Sequence, residues 1–156
     1  MLLIVNLPGY EKITVKINKD GDIESYQLCA SSQTLNLFKQ FIHSHGQRIN
    51  QWPLPNIMDV ESSNFKAETR RAHLLLQELI LKARGIWKLP YSGEMVCTCR
   101  AVSSEVINNA ITAKANTLED VSNWTTASTS CTTCKDKVEE LITYRLLNST
   151  KIKSVG

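Results

Sequence analysis

Residues 96–100 read VCTCR and residues 130–134 read SCTTC, and these two stretches decide how the rest of the chain is interpreted. They contain one C-x-C pair and one C-x-x-C pair of cysteines, with 31 residues between the pairs. The four residues are Cys97, Cys99, Cys131 and Cys134. Thiolates grouped in close pairs bind an iron–sulfur cluster or a zinc ion. The spacing therefore predicts a metal centre that uses all four thiols.

Three short helices are predicted around the cysteine pairs. Ser103 is expected to cap the first helix and Thr117 the second, because a hydroxyl oxygen accepts a hydrogen bond from a backbone N–H of the first turn. The third helix is expected from about Cys134 to Leu146, and Trp124 on the second is expected to pack in the core. A domain of roughly 50 residues buries little apolar surface and usually needs a staple such as a metal. We therefore expect the thiols to stabilise this region.

Two kinds of metal centre remain open from the residues alone. A [2Fe–2S] cluster needs four thiolates, and the predicted helix starts beside the pairs offer backbone N–H groups to its sulfur atoms. Structural zinc is the alternative, but zinc sites usually combine two C-x-x-C-like pairs, or cysteines with histidines. The C-x-C pair favours the cluster without excluding zinc.

The composition is that of an ordinary globular protein. Of the 156 residues, 42% are hydrophobic and 21% are charged, and a formal net charge of +3 without a basic run does not indicate nucleic-acid binding. The apolar start of the chain is soon interrupted by Asn6 and Pro8 and lacks the basic region of a signal peptide. No segment has the length of a membrane span. We expect a cytoplasmic protein, in which paired cysteines are metal ligands more often than disulfides.

A β-hairpin is predicted near the N-terminus. Ile13, Val15 and Ile17 alternate with polar residues, which is the period-two pattern of a strand. Residues 18–21 read NKDG, a turn signal, and a second strand is expected over residues 22–29.

Two helices are predicted after the hairpin. The first is expected to begin at Ser31 or Ser32 and to run to about His45, with Gly46 as its stop. The second is longer and is expected over residues 64–87, with an apolar stripe that ends at Ile86.

We divide the chain at residues 89–94, which we predict to be a linker because Pro90 and Gly93 interrupt regular structure there. The predicted fold class is α+β. It consists of a hairpin-plus-helices domain over residues 1–88, followed by a small all-α domain over residues 95–147.

The C-terminal stretch resembles a known family. VCTCRAVS at residues 96–103, TLEDV at residues 117–121, and the C-x-x-C pair resemble the bacterioferritin-associated ferredoxin-like (BFD-like) [2Fe–2S]-binding domain, which is also the central domain of NifU-type iron–sulfur cluster assembly proteins. The resemblance covers about residues 95–146. It implies a [2Fe–2S] cluster as cofactor, and it implies four ligands. These are Cys97, Cys99, Cys131 and Cys134.

The second pair departs from the family pattern. The family usually has a Gly-Cys-Gly-x-Cys sequence, whereas residues 130–134 contain serine and threonines in place of the glycines. Glycine allows positive φ and a close backbone approach to the sulfides, and threonine is stiff at χ1. We therefore expect the stability or the reduction potential of the cluster to differ from those of family members that have the glycines.

The N-terminal domain is loosely similar to the IscU-type scaffold that precedes the ferredoxin-like domain in NifU-type proteins. The similarity rests on a hairpin, Ala-Ser-Ser at residues 30–32, a helix, and a long helix with Arg70 and Arg71. The scaffold's cysteines are mostly missing, and the one present, Cys29, is expected to be a small core residue. The resemblance implies a degenerate IscU/NifU-like scaffold.

The function implied by the resemblance is [2Fe–2S] binding of the NifU/BFD-like type, in iron–sulfur cluster assembly or as an accessory to it. A ferredoxin-type electron carrier for iron release or a reductase, and a zinc-stapled interaction module, are the alternatives. The implied partners are proteins of iron–sulfur biogenesis or electron transfer, such as a cysteine desulfurase or a reductase, with a homodimer left open and neither nucleic acid nor membrane expected. No nucleophile or phosphate-loop motif is present, so we expect no enzyme activity.

Overall fold

The chain divides into two compact units, Met1–Trp87 and Lys88–Gly156. The computed structural model describes residues 1–55, 66–115, 117–127 and 134–155, with side chains for all of these except residues 66, 67 and 147–155.

The first unit contains a three-stranded antiparallel sheet in the order β1-β2-β3. The strands are β1 (Leu2–Leu7), β2 (Glu11–Ile17) and β3 (Ile23–Cys29). The predicted hairpin is confirmed as β2–β3, with Ile13 opposite Leu28 and Val15 opposite Tyr26. The period-two pattern succeeds here because one face of β2 is buried and the other carries polar side chains.

The turn between β2 and β3 is held by side chains that the sequence NKDG places there. The Asn18 Oδ1 atom accepts hydrogen bonds from the backbone N–H of Asp20 at 2.9 Å and of Asp22 at 3.0 Å. Gly21 has a φ of +89°, and a Cβ at this position would lie 2.5 Å from the Asn50 side chain. Both the turn conformation and the close approach of Asn50 therefore require glycine.

Strand β1 was not predicted, because apolar residues occupy both of its faces. Leu3 and Val5 are buried, whereas Leu2 is 59% and Ile4 is 42% exposed. A strand that is apolar on both faces lacks the alternation that distinguishes a strand in sequence. β1 forms an edge of the sheet, and the Lys82 ammonium donates a hydrogen bond to the carbonyl oxygen of Ile4 at 2.7 Å.

Two helices follow the sheet in the chain and confirm the predicted hairpin-plus-helices arrangement. Helix α1 (Ser32–His45) begins after Ser31, whose side chain accepts a hydrogen bond from the Thr34 N–H, and ends at Gly46 with φ of 77°. Helix α2 (Lys66–Ala83) packs against both α1 and β1. A short 3₁₀ turn lies between the helices in sequence, at Ile49–Gln51.

Helix α2 ends earlier than residue 87, so the predicted end is wrong. Gly85 takes a φ of 70°, and the N–H groups of Ile86 and Trp87 both donate to the carbonyl oxygen of Leu81. This is the hydrogen-bond pattern of a helix terminated by glycine. Ile86 is consequently 52% exposed rather than part of the apolar stripe, while Leu79 is fully buried.

The second unit contains a two-stranded antiparallel ribbon and three helices. The elements are β4 (Met95–Cys97), β5 (Val102–Ser103), α3 (Ser104–Ala113), α4 (Leu118–Thr125) and α5 (Lys135–Val155). The three predicted helices are confirmed, although α5 extends past Leu146. The ribbon was not predicted, because strands of two or three residues are too short to show a periodic pattern.

The helix starts of the second unit follow the predicted caps. The Ser103 hydroxyl accepts a hydrogen bond from the Val106 N–H at 3.3 Å, and the Thr117 hydroxyl accepts one from the Asp120 N–H at 3.1 Å. Trp124 is 48% exposed, so its predicted place in the core is wrong. Each of α3, α4 and α5 contributes fully buried apolar side chains. They include Ile107, Ile111, Val121, Val138 and Leu141.

None of the helices in the described ranges combines the length and the apolar character that crossing a bilayer requires.

Candidate metal centre

The first cysteine pair lies where β4 ends. Cys97 is the last residue of β4 and is paired with Val102 of β5, and Cys99 lies in the turn that joins the two strands. Ala101 completes this turn with a φ of 53°, and its N–H donates to the carbonyl oxygen of Thr98 at 3.4 Å. Because the chain leaves the strand after Cys97, the two thiols do not share one face. Cys97 is 1% exposed, whereas Cys99 is exposed.

The second pair is described at Cys134 only, which directly precedes α5. The Cys134 carbonyl oxygen accepts a hydrogen bond from the Val138 N–H at 3.0 Å, and this first intrahelical bond makes Cys134 the N-cap residue. Its side chain is 4% exposed. Cys134 thus lies beside the unpaired N–H groups at the start of α5, which can donate hydrogen bonds to the sulfur atoms of a cluster.

Helix α3 connects the elements that carry the two pairs. Strand β5 runs directly into α3, and α3 packs against α4 and α5. Cys131 lies outside the described residues. Within the described ranges, no group of three or more His, Cys, Asp or Glu side chains is placed to hold a metal ion. The four-thiol ligand set therefore stays a prediction.

The donor chemistry of this unit fits an iron–sulfur cluster. Cys97 and Cys134 offer buried sulfur ligands, and Cys99 offers an exposed one. All three histidines of the chain lie in the first unit, so the second unit offers no imidazole for a mixed cysteine–histidine zinc site. Thiolates are the ligands that [2Fe–2S] clusters take.

The segment before β4 is hydrogen-bonded to α3. Glu105, in the first turn of α3, accepts a hydrogen bond from the Gly93 N–H at 2.7 Å and another from the Ser92 hydroxyl at 3.3 Å. The Gly93 N–H holds the pKa of Glu105 below its ordinary value, against the smaller opposing effect of burial. The N–H of Ser104 donates to the Glu94 carbonyl oxygen at 3.2 Å. The start of α3 thus binds the turn that leads into β4.

The same segment is hydrogen-bonded to α5. The Tyr91 hydroxyl donates to the Glu140 carboxylate, and the Lys137 ammonium lies 5.0 Å from the centre of the Tyr91 ring. The hydrogen bond to Glu140 raises the pKa of Tyr91. The N–H of Lys88 donates to the Tyr144 hydroxyl oxygen at 3.2 Å. These contacts were not predicted, since Pro90 and Gly93 indicated only a linker over residues 89–94.

In the first unit, Cys29 is exposed, so the prediction that it is a core residue is wrong. It is the last residue of β3, opposite Lys12, and β3 is an edge strand with few buried side chains. A surface cavity of about 210 Å³ adjoins it. The cavity is lined by Asn6, Leu7, Gly9, Tyr10, Glu11, Lys12 and Cys29. Nearby, the Arg71 guanidinium lies 4.6 Å from the Tyr10 ring centre and 3.9 Å from Glu11 Oε2.

Comparison with known proteins identifies the C-terminal part of the chain. Residues 95–143 match the family model described as the BFD-like [2Fe-2S] binding domain. This part of the chain, about a third of its length, is a [2Fe–2S]-binding domain of that family, which confirms the resemblance and the predicted cofactor. This family is of a cluster-binding type and is not a known catalytic family.

A curated relative extends the comparison. The protein named "Nitrogen fixation protein NifU" from Azospirillum brasilense is 37% identical over 62 residues in this region, which are 39% of the chain and 20% of the relative. The chain therefore spans about a fifth of the length of that relative. No solved structure matches the chain at a comparable level of significance.

Proposed function

We propose that this chain binds a [2Fe–2S] cluster through four thiolates and acts in iron–sulfur cluster assembly or as an accessory to it. The proposed ligands are Cys97, Cys99, Cys131 and Cys134. The observation that carries the proposal is the family match over residues 95–143, together with the C-x-C and C-x-x-C pairs inside it. The similarity to a NifU protein supports the assembly role over that of an unrelated cluster protein.

The described thiols would have different roles in this site. Cys97 and Cys134 are almost fully buried, so they would hold the group on its protein side, away from water. Cys99 is exposed and would form the solvent side, where a partner protein can approach. The start of α5, directly after Cys134, offers N–H groups that can donate hydrogen bonds to the sulfur atoms of the cluster. When bound, a [2Fe–2S] cluster accepts and donates one electron at a potential set by such hydrogen bonds and by solvent exposure.

The partners belong to the same proposal. We propose that the protein is cytoplasmic and binds a component of iron–sulfur biogenesis, such as a cysteine desulfurase. We assign no catalysed reaction to it. A small electron carrier is the second candidate, because the exposed side at Cys99 would shorten the path of an electron to a reductase.

Anaerobic purification of the full chain tests the proposal. We expect brown protein with visible charge-transfer absorption and about two irons and two sulfides per chain. The Cys29→Ser variant is the matched control, because Cys29 is an exposed thiol of the first unit, and it should retain the full iron content. Colourless protein that holds one zinc ion per chain would overturn the proposal and support the zinc-stapled module.

A transfer assay separates the two cluster functions. The loaded protein is mixed with an iron-free acceptor ferredoxin in the presence of a chelator that traps free iron. Appearance of the acceptor's spectrum supports a role in assembly. Reversible reduction and reoxidation without any transfer supports the electron carrier.

A further inference from the structure

Residues 88–94, termed here the strap, contact two helices of the second unit. We infer that the strap holds the β-ribbon that carries Cys97 and Cys99 in place relative to α5, which begins after Cys134, and that Glu105 and Glu140 are the positioning residues. This inference rests on the proposed function, because it assigns the strap a role in arranging the proposed cluster ligands.

The first anchor of the strap is Glu105 in the first turn of α3. Its Oε1 atom accepts hydrogen bonds from the Gly93 N–H at 2.7 Å and from the Ser92 hydroxyl at 3.3 Å. Its Oε2 atom accepts one from the Ser104 hydroxyl at 3.0 Å. A carboxylate that accepts three hydrogen bonds fixes its partners more firmly than a neutral acceptor does. Glu105 therefore holds the strap against the start of α3.

The second anchor is Glu140 on α5. It accepts the hydrogen bond of the Tyr91 hydroxyl, and Lys137, three residues earlier on the same helix, places its ammonium 5.0 Å from the centre of the Tyr91 ring. Tyr144, four residues after Glu140, accepts the Lys88 N–H at 3.2 Å. Residues three and four apart lie on one side of a helix. One side of α5 therefore contacts the strap at both Lys88 and Tyr91.

The strap is close enough in sequence to the first cysteine pair to determine its position. Three residues separate Gly93 from Cys97, and within this short stretch the Glu94 carbonyl oxygen accepts the Ser104 N–H at 3.2 Å. Movement of the strap would therefore displace β4 and its thiols. Because these contacts involve no metal, they arrange the ribbon relative to α5 in the iron-free protein as well.

The test uses the full chain and compares neighbouring glutamates. Glu105→Ala and Glu140→Ala remove the two anchors, and Glu140→Gln keeps an oxygen acceptor for Tyr91. Glu139→Ala is the matched control, because Glu139 is an exposed carboxylate beside Glu140 on the same helix. Tyr91→Phe removes a single hydroxyl and serves as the mildest variant. Circular dichroism verifies that each variant retains its helices.

Three measurements follow the strap and the proposed site separately. Amide hydrogen exchange at Gly93 and in β4 is measured in the iron-free protein, and the rate of cluster loss to a chelator and the midpoint reduction potential are measured in the loaded protein. We expect Glu140→Ala to exchange and to lose the cluster roughly two- to tenfold faster, as for the loss of a single net hydrogen bond. Glu105→Ala should have an effect at least as large, because Glu105 accepts three hydrogen bonds, and both variants should have a shifted potential. Glu140→Gln should fall between the reference protein and Glu140→Ala.

The outcomes distinguish this inference from the proposed function. If the reference protein is brown and both alanine variants behave as Glu139→Ala does, the inference is wrong and the cluster assignment stands. If the reference protein is colourless, the proposed function is wrong, and so is the role of the strap in arranging cluster ligands. If only Tyr91→Phe remains folded, unchanged exchange at Gly93 together with an unchanged rate of cluster loss overturns the inference.

Discussion

The first unit contains a helix whose middle is buried on nearly every side, whereas the second unit packs three helices around apolar side chains that each of them contributes. In the first unit, every residue of α2 from 74 to 81 is buried, and the aromatic rings of Phe38 and Trp52 pack with centroids 5.7 Å apart. The second unit adds the strap and, as proposed, a cluster. The difference shows two sources of order in one chain, and it predicts that the units respond to different substitutions.

Loss of a proposed ligand should produce the largest difference in order between the two units. We expect Cys97→Ser to abolish iron binding and to remove much of the hydrogen-exchange protection from residues 95–146, because a serine hydroxyl is a poor replacement for a thiolate and a small domain depends on its metal centre. The first unit should remain folded. Visible absorption, iron analysis and hydrogen exchange measure these effects. Retained protection of residues 95–146 in the variant would contradict this dependence.

A substitution that creates a cavity in the first unit should destabilise that unit and leave the second unit unchanged. Leu79 on α2 is fully buried, so Leu79→Ala should lower the free energy of unfolding of the first unit by about 2–5 kcal/mol. The visible spectrum of the second unit should be unchanged. Ile86→Ala is the control, since Ile86 is 52% exposed and its truncation should change stability by less than about 0.5 kcal/mol. Urea denaturation monitored by far-UV and visible signals distinguishes the units, and a simultaneous loss of both signals would argue that they unfold together.

The cap of α3 should have a smaller effect that is confined to the second unit. Ser103→Ala removes the oxygen that accepts the Val106 N–H, and we expect a loss of about 1 kcal/mol in the free energy of unfolding of this unit. Ser103→Thr keeps the hydroxyl and should retain most of the stability. Thermal unfolding monitored by visible absorption provides the measurement. Equal midpoints for the alanine and threonine variants would show that the cap is unimportant.

Alkaline pH should produce the smallest difference between the units. The hydrogen bond to Glu140 raises the pKa of Tyr91, and the charges of Glu140, Glu94 and Asp136 act in the same direction, while the Lys137 ammonium lies over the ring. The folded second unit therefore favours the protonated phenol. Its contribution to stability is complete below about pH 10, the ordinary tyrosine value, and disappears as the pH rises through the higher folded-state pKa.

Tyr91→Phe tests this pH dependence. The substitution should remove the alkaline loss of stability that is specific to the second unit and leave the first unit unchanged. Denaturation midpoints measure the effect between about pH 9 and pH 11, a range that brackets the ordinary tyrosine pKa of about 10. An identical alkaline profile for the variant and the reference protein would exclude Tyr91 as its source.

Local signals explain why much of the fold was predictable. Ser31, Ser103 and Thr117 each cap a helix where the sequence indicated, and Gly46 ends α1 as expected. Caps and stops depend on side chains within a few residues of the helix end, so sequence alone identifies them. The cofactor class was predicted by the resemblance to the BFD-like domain, because the two cysteine pairs and the pattern between them occur within one short stretch, although the spacing alone left zinc open.

Tertiary contacts explain what was missed. Cys29 and Trp124 are exposed, and the exposure of a side chain depends on elements distant in sequence, which its own sequence context does not reveal. The strap depends on partners that are 12 residues away at Glu105 and 49 residues away at Glu140. Pairings over such separations carry no periodic signal, and the proline and glycine in the segment indicated only a break in regular structure. The four-cysteine ligand set remains a prediction, because Cys131 lies outside the described residues.

The lysine at the edge of the first unit has a consequence for the behaviour of the protein at high concentration. An apolar edge strand such as β1 presents outward backbone groups that can recruit a strand from another molecule. The Lys82 ammonium is bound to the Ile4 carbonyl oxygen at 2.7 Å and also pairs with Glu78 at 2.8 Å. An incoming strand would have to displace the Lys82 ammonium from this carbonyl. Lys82 therefore protects the sheet from edge-to-edge aggregation.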